Sequence, residues 1–433
     1  MRSLPDDQGR GEPCPPEQAG RIRAASELRC LSAPLTTEGP SIMAVRRQNR
    51  TYTLGKKLPT TRLGELKFGA SDGFQRELRR RVDEYFRSSG QRQRDCPQMY
   101  LKTAIVVGWL VASYVLLVFL VGTWWLALPL AISLGLSMAA LGFNVQHDGG
   151  HGAYSHRGWI NKLMAMTLDL LGGSSYVWAR KHNSIHHSYA NITGHDDDID
   201  IGFLGRLSPH QKRLRFHGWQ HFYLWPLYGL LPIKWQVYDD FRDVFTGRTG
   251  GHRLARPRGW DLVIFIGGKV VFFTLALAIP LALHPAWVVL LFWVVATFVQ
   301  GEVLSVIFQL GHCVEHAAFP LPRPDTGRME APWAVHQVET TVDFARRSRL
   351  LTWFIGGLNF QIEHHLFPQI CHLHYPALAP LVEKTCSEFG LSYLANKTLR
   401  AAVASHFRWL RRMGAAGSWN EMGTTLTAPF GPK

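Results

Sequence analysis

Four long apolar runs constrain what this chain can fold into more than any other feature of its sequence. They cover residues 104–121, 124–143, 262–283 and 286–308. A helix needs about 20 mainly apolar residues to cross the hydrocarbon core of a bilayer, and a soluble core does not require runs of that length. The runs therefore predict four transmembrane helices in this chain of 433 residues.

The segments that connect the runs predict how the four helices are arranged. Gly122 and Thr123 separate the first two runs, and a similarly short link separates the last two, so each pair is expected to form a tight hairpin. Neither link contains Lys or Arg. The long segments on the other side contain many basic residues, among them Arg157, Lys162, Arg180, Lys181, Lys212, Arg213, Arg256 and Arg258. The positive-inside rule therefore predicts that these segments and both termini are cytoplasmic.

Other polar and weakly apolar regions constrain the predicted fold less than the four apolar runs do. Residues 159–178 and 219–238 contain too many polar groups for confident spans, so interfacial or re-entrant helices are expected there. Residues 74–87 have the pattern of a basic amphipathic helix that lies on a membrane face or is solvated. The formal charge of +15 is typical of proteins that bind nucleic acid or anionic membranes, and the apolar runs favour a membrane. The six scattered cysteines, without CxxC spacing, argue against a zinc ribbon or a disulfide framework and favour free thiols in a reducing compartment.

Histidines gather in four short clusters near the predicted cytoplasmic ends of the spans. The segments are HDGGH, HNSIHH, HCVEH and QIEHH, and their histidines are His147, His151, His182, His186, His187, His312, His316, His364 and His365. Histidines four apart lie on one face of a helix, roughly 6 Å apart, and can share an ion. Adjacent histidines point about 100° apart, so each can serve a different ion. Nine histidines with adjacent pairs predict two metal ions.

The chemistry of the donors narrows the metal. Imidazole binds iron, copper, nickel and zinc, and no cysteine cluster competes for a softer ion. A structural zinc usually takes four ligands, which is fewer than the clusters offer. A metal at the lipid boundary favours redox chemistry on a lipid, and iron is the expected ion. The predicted fold is therefore an all-α integral membrane protein: four transmembrane helices as two hairpins, interfacial helices and a cytoplasmic di-metal histidine cap. Isolated histidines such as His156, His195, His217, His221 and His252 are interpreted as structural or solvated.

The order and context of these clusters resemble the membrane fatty acid desaturases, over residues 74–407. The QIEHHLFP and WARKHNSIHH segments are similar to those of acyl-lipid and front-end desaturases. The resemblance implies an oxygen-dependent, di-iron enzyme that inserts a cis double bond into the acyl chain of a lipid or acyl-CoA. It implies the ligands His147, His151, His182, His186, His187, His316, His364 and His365. His312 falls where relatives use a ligand or a water-bridged Asn, and Gln361 replaces a histidine of some relatives; both join the candidate ligands.

The same resemblance bears on electron supply and on domain organisation. Many front-end desaturases contain a fused cytochrome b5 domain with an HPGG motif, and no HPGG occurs in this sequence. Electrons are therefore expected from a separate protein, ferredoxin or cytochrome b5. The domain prediction is a weakly ordered basic region over 1–73, a membrane desaturase domain over 74–407 and a tail over 408–433.

Carboxylates near the clusters are candidates to orient the ligand rings by accepting the second ring N–H. Asp148, Glu315, Glu363 and one of the three aspartates 196–198, with Asp198 preferred, could have this role or be ordinary surface charges. Three other functions remain open: a related di-iron hydroxylase or ketolase, a sphingolipid desaturase, and a metal transporter. A transporter would place its ligands near the middle of the bilayer, whereas these clusters lie beyond the ends of the spans.

Overall fold

The computed structural model describes residues 65–71 and 73–416. Most of the predicted region 1–73 lies outside the described residues. The described part is mainly helical, and four of its helices are long and apolar enough to cross a membrane: Pro97–Leu120, Trp124–Gly150, Trp260–Leu283 and Ala286–His312. We call them the first to fourth spans. The prediction of four spans is thus confirmed, and the structure extends each of them beyond its apolar run.

The second span is the most enclosed of the four, and it packs against the first and the fourth. Trp109 and Ser113 of the first span both hydrogen-bond Ser133 of the second. Gly135 allows the close approach of the fourth span, because a Cβ at this position would lie 2.4 Å from the carbonyl oxygen of Ala296. The outer faces of the spans expose Leu, Ile, Val and Phe side chains, as expected for surfaces in contact with lipid.

Short helices replace the two weakly apolar runs. The helices of the first run are Gly158–Ala165, Thr167–Leu170 and Ser175–Trp178, followed by Ala179–His186, His187–Tyr189, Asp197–Ile199 and Gly202–Leu204. Those of the second are Arg215–Trp219, Gln220–Gly229, Leu231–Lys234, Trp235–Asp239 and Asp240–Thr246. None of these is long enough to span a bilayer. Exposed aromatic side chains such as Trp159, Trp219 and Phe245 are typical of the membrane–water interface.

The C-terminal third supplies the remaining elements. Its helices are Trp333–Thr340, Arg349–Phe354, Gln361–Leu366, His372–His374, Tyr375–Glu388 and Leu399–Gly414. Asp343–Phe344 pairs in parallel with Ala395–Asn396. A second strand pair lies earlier in the chain, just before the third span, where Arg248–Thr249 pairs antiparallel with His252–Arg253. The last helix continues through residues 408–414 of the predicted tail, and residues 417–433 lie outside the described part.

The amphipathic segment near the N-terminus forms the helix Phe74–Ser89. Its apolar residues Phe74, Leu78, Val82 and Phe86 are buried against the helix Tyr375–Glu388 and neighbouring segments. Its apolar face is therefore covered by protein, and its charged face is exposed.

Candidate metal centre

The second span continues past its apolar run and brings the first histidine cluster with it. A π-helical turn, Gly142–Gln146, leads directly into the short helix His147–Gly150. The backbone N–H of His151 still bonds the carbonyl of His147, at 3.1 Å. The rings of His147 and His151 therefore lie close together, with centroids 4.7 Å apart, as the spacing of four predicts.

The second cluster lies on another π-helix, Ala179–His186. In a π-helix each N–H bonds five residues back, so side chains five apart come onto one face. Accordingly His182 and His187 approach with their Nε2 atoms 3.3 Å apart, and the rings of His182 and His186 stack 5.2 Å apart. The period of an α-helix predicts that His182 and His186 share a face, but it does not predict the approach of His182 and His187, which the π-helix produces.

Eight buried histidines meet in one place, each at most 9% exposed. Their nitrogen atoms form two groups in which all ligand atoms lie within 4.8 Å of one another: His147, His151, His182 and His364, and His186, His312 and His365. His187 lies between the groups, in a third set with His364 and His365. The adjacent pair His364 and His365 thus divides between the two groups, as its geometry on a helix predicts, whereas His186 belongs to the second group and His187 to neither.

Several ring nitrogens in this cluster are buried without a protein partner. Among the described residues, Nε2 of His151, His186, His364 and His365, Nδ1 of His187 and both nitrogens of His312 have no hydrogen-bond partner. Buried polar atoms are normally satisfied, so a set of unpartnered nitrogens that converge needs an explanation. Neutral imidazole nitrogens at these separations fit the coordination of metal ions, and the residues present therefore fit the predicted two-ion centre.

Polar groups hold several of the rings from behind. Both carboxylate oxygens of Asp196 lie 3.1 Å from Nδ1 of His186. The side-chain oxygen of Gln337 lies 2.8 Å from Nδ1 of His365. The hydroxyl of Tyr375 lies 3.4 Å from Nδ1 of His364. Each contact fixes which nitrogen faces inward, which is the usual role of groups behind a metal ligand. Nothing in the sequence pattern marks Gln337 or Tyr375 for this role.

The candidate carboxylates occupy different places. Asp198 lies 3.6 Å from Nδ1 of His182 and also pairs with Lys181, so it stands behind the second cluster. Asp148 accepts a hydrogen bond from His372, a histidine outside the two groups. Glu315 pairs with Arg408 and Arg412 at the surface. Glu363 is buried and accepts from Tyr393 at 2.9 Å.

His316 does not join the cluster. The fourth span ends at His312, and residues 313–316 form turns, so the two histidines do not share a helix face. His316 is exposed, whereas His312 is fully buried with its ring 4.6 Å from that of His186. The expectation from spacing and resemblance is thus corrected by the geometry, which places His312 rather than His316 among the candidate ligands.

Gln361 lies against Gly311, the residue before His312 at the end of the fourth span. Its side-chain amide donates to the carbonyl oxygen of Leu358 at 2.9 Å. Its aliphatic part packs on Gly311, where a Cβ would lie 2.4 Å from Cγ of Gln361. The glutamine is thus 2% exposed and held in one orientation.

The electrostatics of the cluster suit neutral ligands. Burial, together with neighbouring histidines, lowers the pKa values of His151, His182, His187, His364 and His365 well below their ordinary range. Burial also opposes protonation of His186, but Asp196 outweighs it and raises that pKa. In Glu363, burial and the nearby Asp343 raise the pKa of the carboxyl well above its ordinary value. Rings that stay neutral keep their lone pairs available for a metal.

Comparison with known proteins places this geometry in a family. Residues 123–397 match the model of the fatty acid desaturases. The chain is 38% identical to the sn-1 linoleoyl-lipid 6-desaturase of Arthrospira platensis, over 82% of this chain and 96% of that protein. It is 39% identical to the sn-1 linoleoyl-lipid 6-desaturase of a Synechocystis species, over 81% and 98%. It is 36% identical to an acyl-lipid (8-3)-desaturase of Physcomitrium patens, over 86% and 79%.

The extent of these matches confirms the resemblance that the histidine clusters indicate. The relatives are oxidoreductases named for action on lipid-bound acyl chains, and residues 123–397 contain all four clusters and the second, third and fourth spans. Together with the four apolar helices, this makes the chain a membrane enzyme that belongs to the fatty acid desaturase family.

Proposed function

We propose that this protein is an oxygen-dependent desaturase that inserts a cis double bond into the acyl chain of a membrane lipid, at a di-iron centre. The observation that carries the proposal is the convergence of eight buried histidines, of which seven form two adjacent groups of four and three and His187 lies between them. Six of the eight have a ring nitrogen without a hydrogen-bond partner among the described residues. One group of ligands would hold each ion, with His187 between them. When bound, iron supplies the power to oxidise an unactivated methylene with oxygen and two external electrons.

The protein contributes orientation and exclusion of water. Asp196 and Gln337 fix His186 and His365 so that Nε2 of each ring faces the centre. The aromatic rings of Trp178 and Phe308 cover part of the cluster, with Trp178 stacked 4.6 Å from His182. A dry and rigid ligand set protects a reactive centre from side reactions with solvent.

The substrate proposal follows from the relatives and the spans. Two relatives are named for linoleoyl lipids and position 6, and others for related acyl-lipid reactions. We therefore favour an acyl-lipid substrate that is desaturated on the carboxyl side of an existing double bond. The four spans would hold this lipid in the bilayer, as two hairpins whose histidine face and termini are cytoplasmic. A separate ferredoxin or cytochrome b5 would deliver the electrons.

Lipid analysis of a host that expresses the protein, supplied with linoleate, tests this function. We expect a new polyunsaturated acyl chain in the membrane lipids, and its loss in His186→Ala and His365→Ala, which remove one candidate ligand from the second group. His195→Ala is the matched control, because His195 lies outside both groups. A new hydroxyl group would indicate a hydroxylase, and altered metal uptake with unchanged lipids would indicate a transporter.

A further inference from the structure

A lysine is buried inside the first span, next to the metal centre but outside both histidine groups. Lys102 is 3% exposed, and its ammonium donates to Nε2 of His372 at 2.9 Å. Nδ1 of His372 in turn lies 2.8 Å from the carboxylate of Asp148. His372 and Asp148 are each 2% exposed, so the three side chains form a buried series of hydrogen bonds from the first span to the first histidine cluster.

The partners determine the form of the histidine. Lysine can only donate and an ionised carboxylate can only accept, so His372 carries its proton on Nδ1 and accepts at Nε2. The positive and negative ends of this series balance each other, as buried charges must. The ammonium also lies 5.2 Å from the ring centroid of Trp353. Asp148, Cys371 and His372 approach each other as metal ligands would, but a lysine on the imidazole leaves that ring no free nitrogen.

The segment that contains His372 touches ligands of two clusters. Asp148 directly follows His147, and it accepts a second bond from the backbone N–H of His372 at 3.3 Å. Three residues further on, the hydroxyl of Tyr375 reaches Nδ1 of His364 at 3.4 Å. The rings of His147 and His364, which are far apart in sequence, lie with centroids 4.5 Å apart. We call residues Cys371–Tyr375 the supporting segment.

A glycine permits this close packing. Gly357 has φ of +70°, in the left-handed region, and a Cβ there would lie 3.1 Å from both Cβ and the carbonyl oxygen of His372. It would also lie 3.2 Å from the ring of Tyr375. Only a residue without a side chain lets the backbone of the Gly357 turn lie directly on the supporting segment.

We propose that Lys102, Asp148 and His372 are positioning residues of the metal centre. Their buried series of hydrogen bonds locks the helix that contains His147 onto the supporting segment, so that His147 and His364 address the same ion. The proposal rests on the proposed function, since it assigns these residues to its metal site. Groups that orient metal ligands typically change metal affinity or activity by roughly 10- to 100-fold when they are replaced.

The test compares two histidines of the same turn in the purified full-length protein. His372→Leu breaks the series, whereas His372→Gln keeps a donor and an acceptor on one side chain. His374→Leu is the matched control, because Nε2 of His374 contacts the carbonyl oxygen of Arg92 and the thiol of Cys96. These contacts do not involve Lys102, Asp148 or His372. Iron release to a chelator, thermal unfolding and turnover with its KM are measured for each.

We expect His372→Leu to release iron roughly 10-fold faster or more than wild type, with lower turnover per folded molecule and unchanged KM. His372→Gln should recover part of the retention, and His374→Leu should retain iron as wild type does. Equal iron release by the two leucine variants would overturn the proposal. If His372→Leu does not fold, Lys102→Met decides in its place, because it removes the donor without altering the supporting segment. Wild type that retains iron without making a double bond would refute the proposed function alone.

Discussion

The orientation of the His186 ring depends on the carboxylate of Asp196, which can be replaced by mutation while every proposed ligand is kept. Asp196 is 2% exposed and receives three donors: Nδ1 of His186, the backbone N–H of Asn191 at 2.8 Å and that of Asp198 at 3.0 Å. In Asp196→Asn, one oxygen becomes an NH₂ group that cannot accept. The amide is expected to face the partly exposed N–H of Asp198, because the buried N–H of Asn191 has no access to water.

The size of the effect follows from this arrangement. The remaining oxygen still serves Asn191, so the free energy of unfolding should fall by less than the about 1–3 kcal/mol of a fully orphaned buried donor. His186 exchanges a charge-assisted bond for a weaker neutral one, so iron affinity and turnover should fall roughly 10- to 100-fold. Asp196→Ala orphans the N–H of Asn191 as well, and it should cost that additional about 1–3 kcal/mol.

Chelator competition and product formation, measured on the same preparation, check this prediction. Asp200→Asn is the control, because Asp200 lies in the same loop, is exposed and accepts the local N–H of Gly202. Asp196→Asn that retains iron and turns over like wild type would refute the assignment of Asp196 as the group that orients His186.

Three further predictions follow from the site. His312→Ala should abolish activity while His316→Ala retains it, because only His312 is buried in the cluster; the reverse result, in a lipid assay, would restore the ligand set implied by resemblance. Gly311→Ala should reduce activity and lower the free energy of unfolding by about 1–3 kcal/mol, because its Cβ would displace the buried Gln361 side chain. Gln361→Leu should also reduce activity, and full activity in that variant would remove Gln361 from the site. In iron-free protein, burial lowers the pKa of five cluster histidines outside the spans. Unfolding therefore takes up protons below about pH 6.5. As the pH is lowered below this value, the free energy of unfolding should fall by up to about 1.4 kcal/mol per pH unit for each of these histidines. A thermal midpoint that is constant between about pH 7 and 5 would contradict this.

The sequence predicts the spans well because hydropathy is a local property. It places the start of the first span too late, since Pro97 begins the helix as an N1 proline ahead of the apolar run. It also leaves Lys102 outside that span, although the helix buries it. A window that averages hydropathy cannot recognise a charge that is balanced by partners distant in sequence. The partners of Lys102 are His372 and, through it, Asp148.

The site is only partly readable for the same reason. The division of His364 and His365 follows from their adjacency, and the pairing of His147 with His151 follows from their spacing. The place where a helix ends does not follow from either, so His316 is included and His312 is ranked below it. The π-helix that aligns His182 with His187 has no sequence signature. Gln337 and Tyr375 reach their rings across the fold, and a supporting role of that kind depends on tertiary packing alone.

The metal content of active enzyme tests the central claim most directly. Two groups of four and three histidines, with His187 between them, predict two iron ions per chain in purified protein that still forms a double bond. Because expression can load a protein with whichever metal is available, iron and zinc are measured together with turnover in the same fractions. Activity that rises with iron and saturates at two ions per chain is the expected result. Full activity with one iron per chain, or with stoichiometric zinc, would contradict the di-iron account.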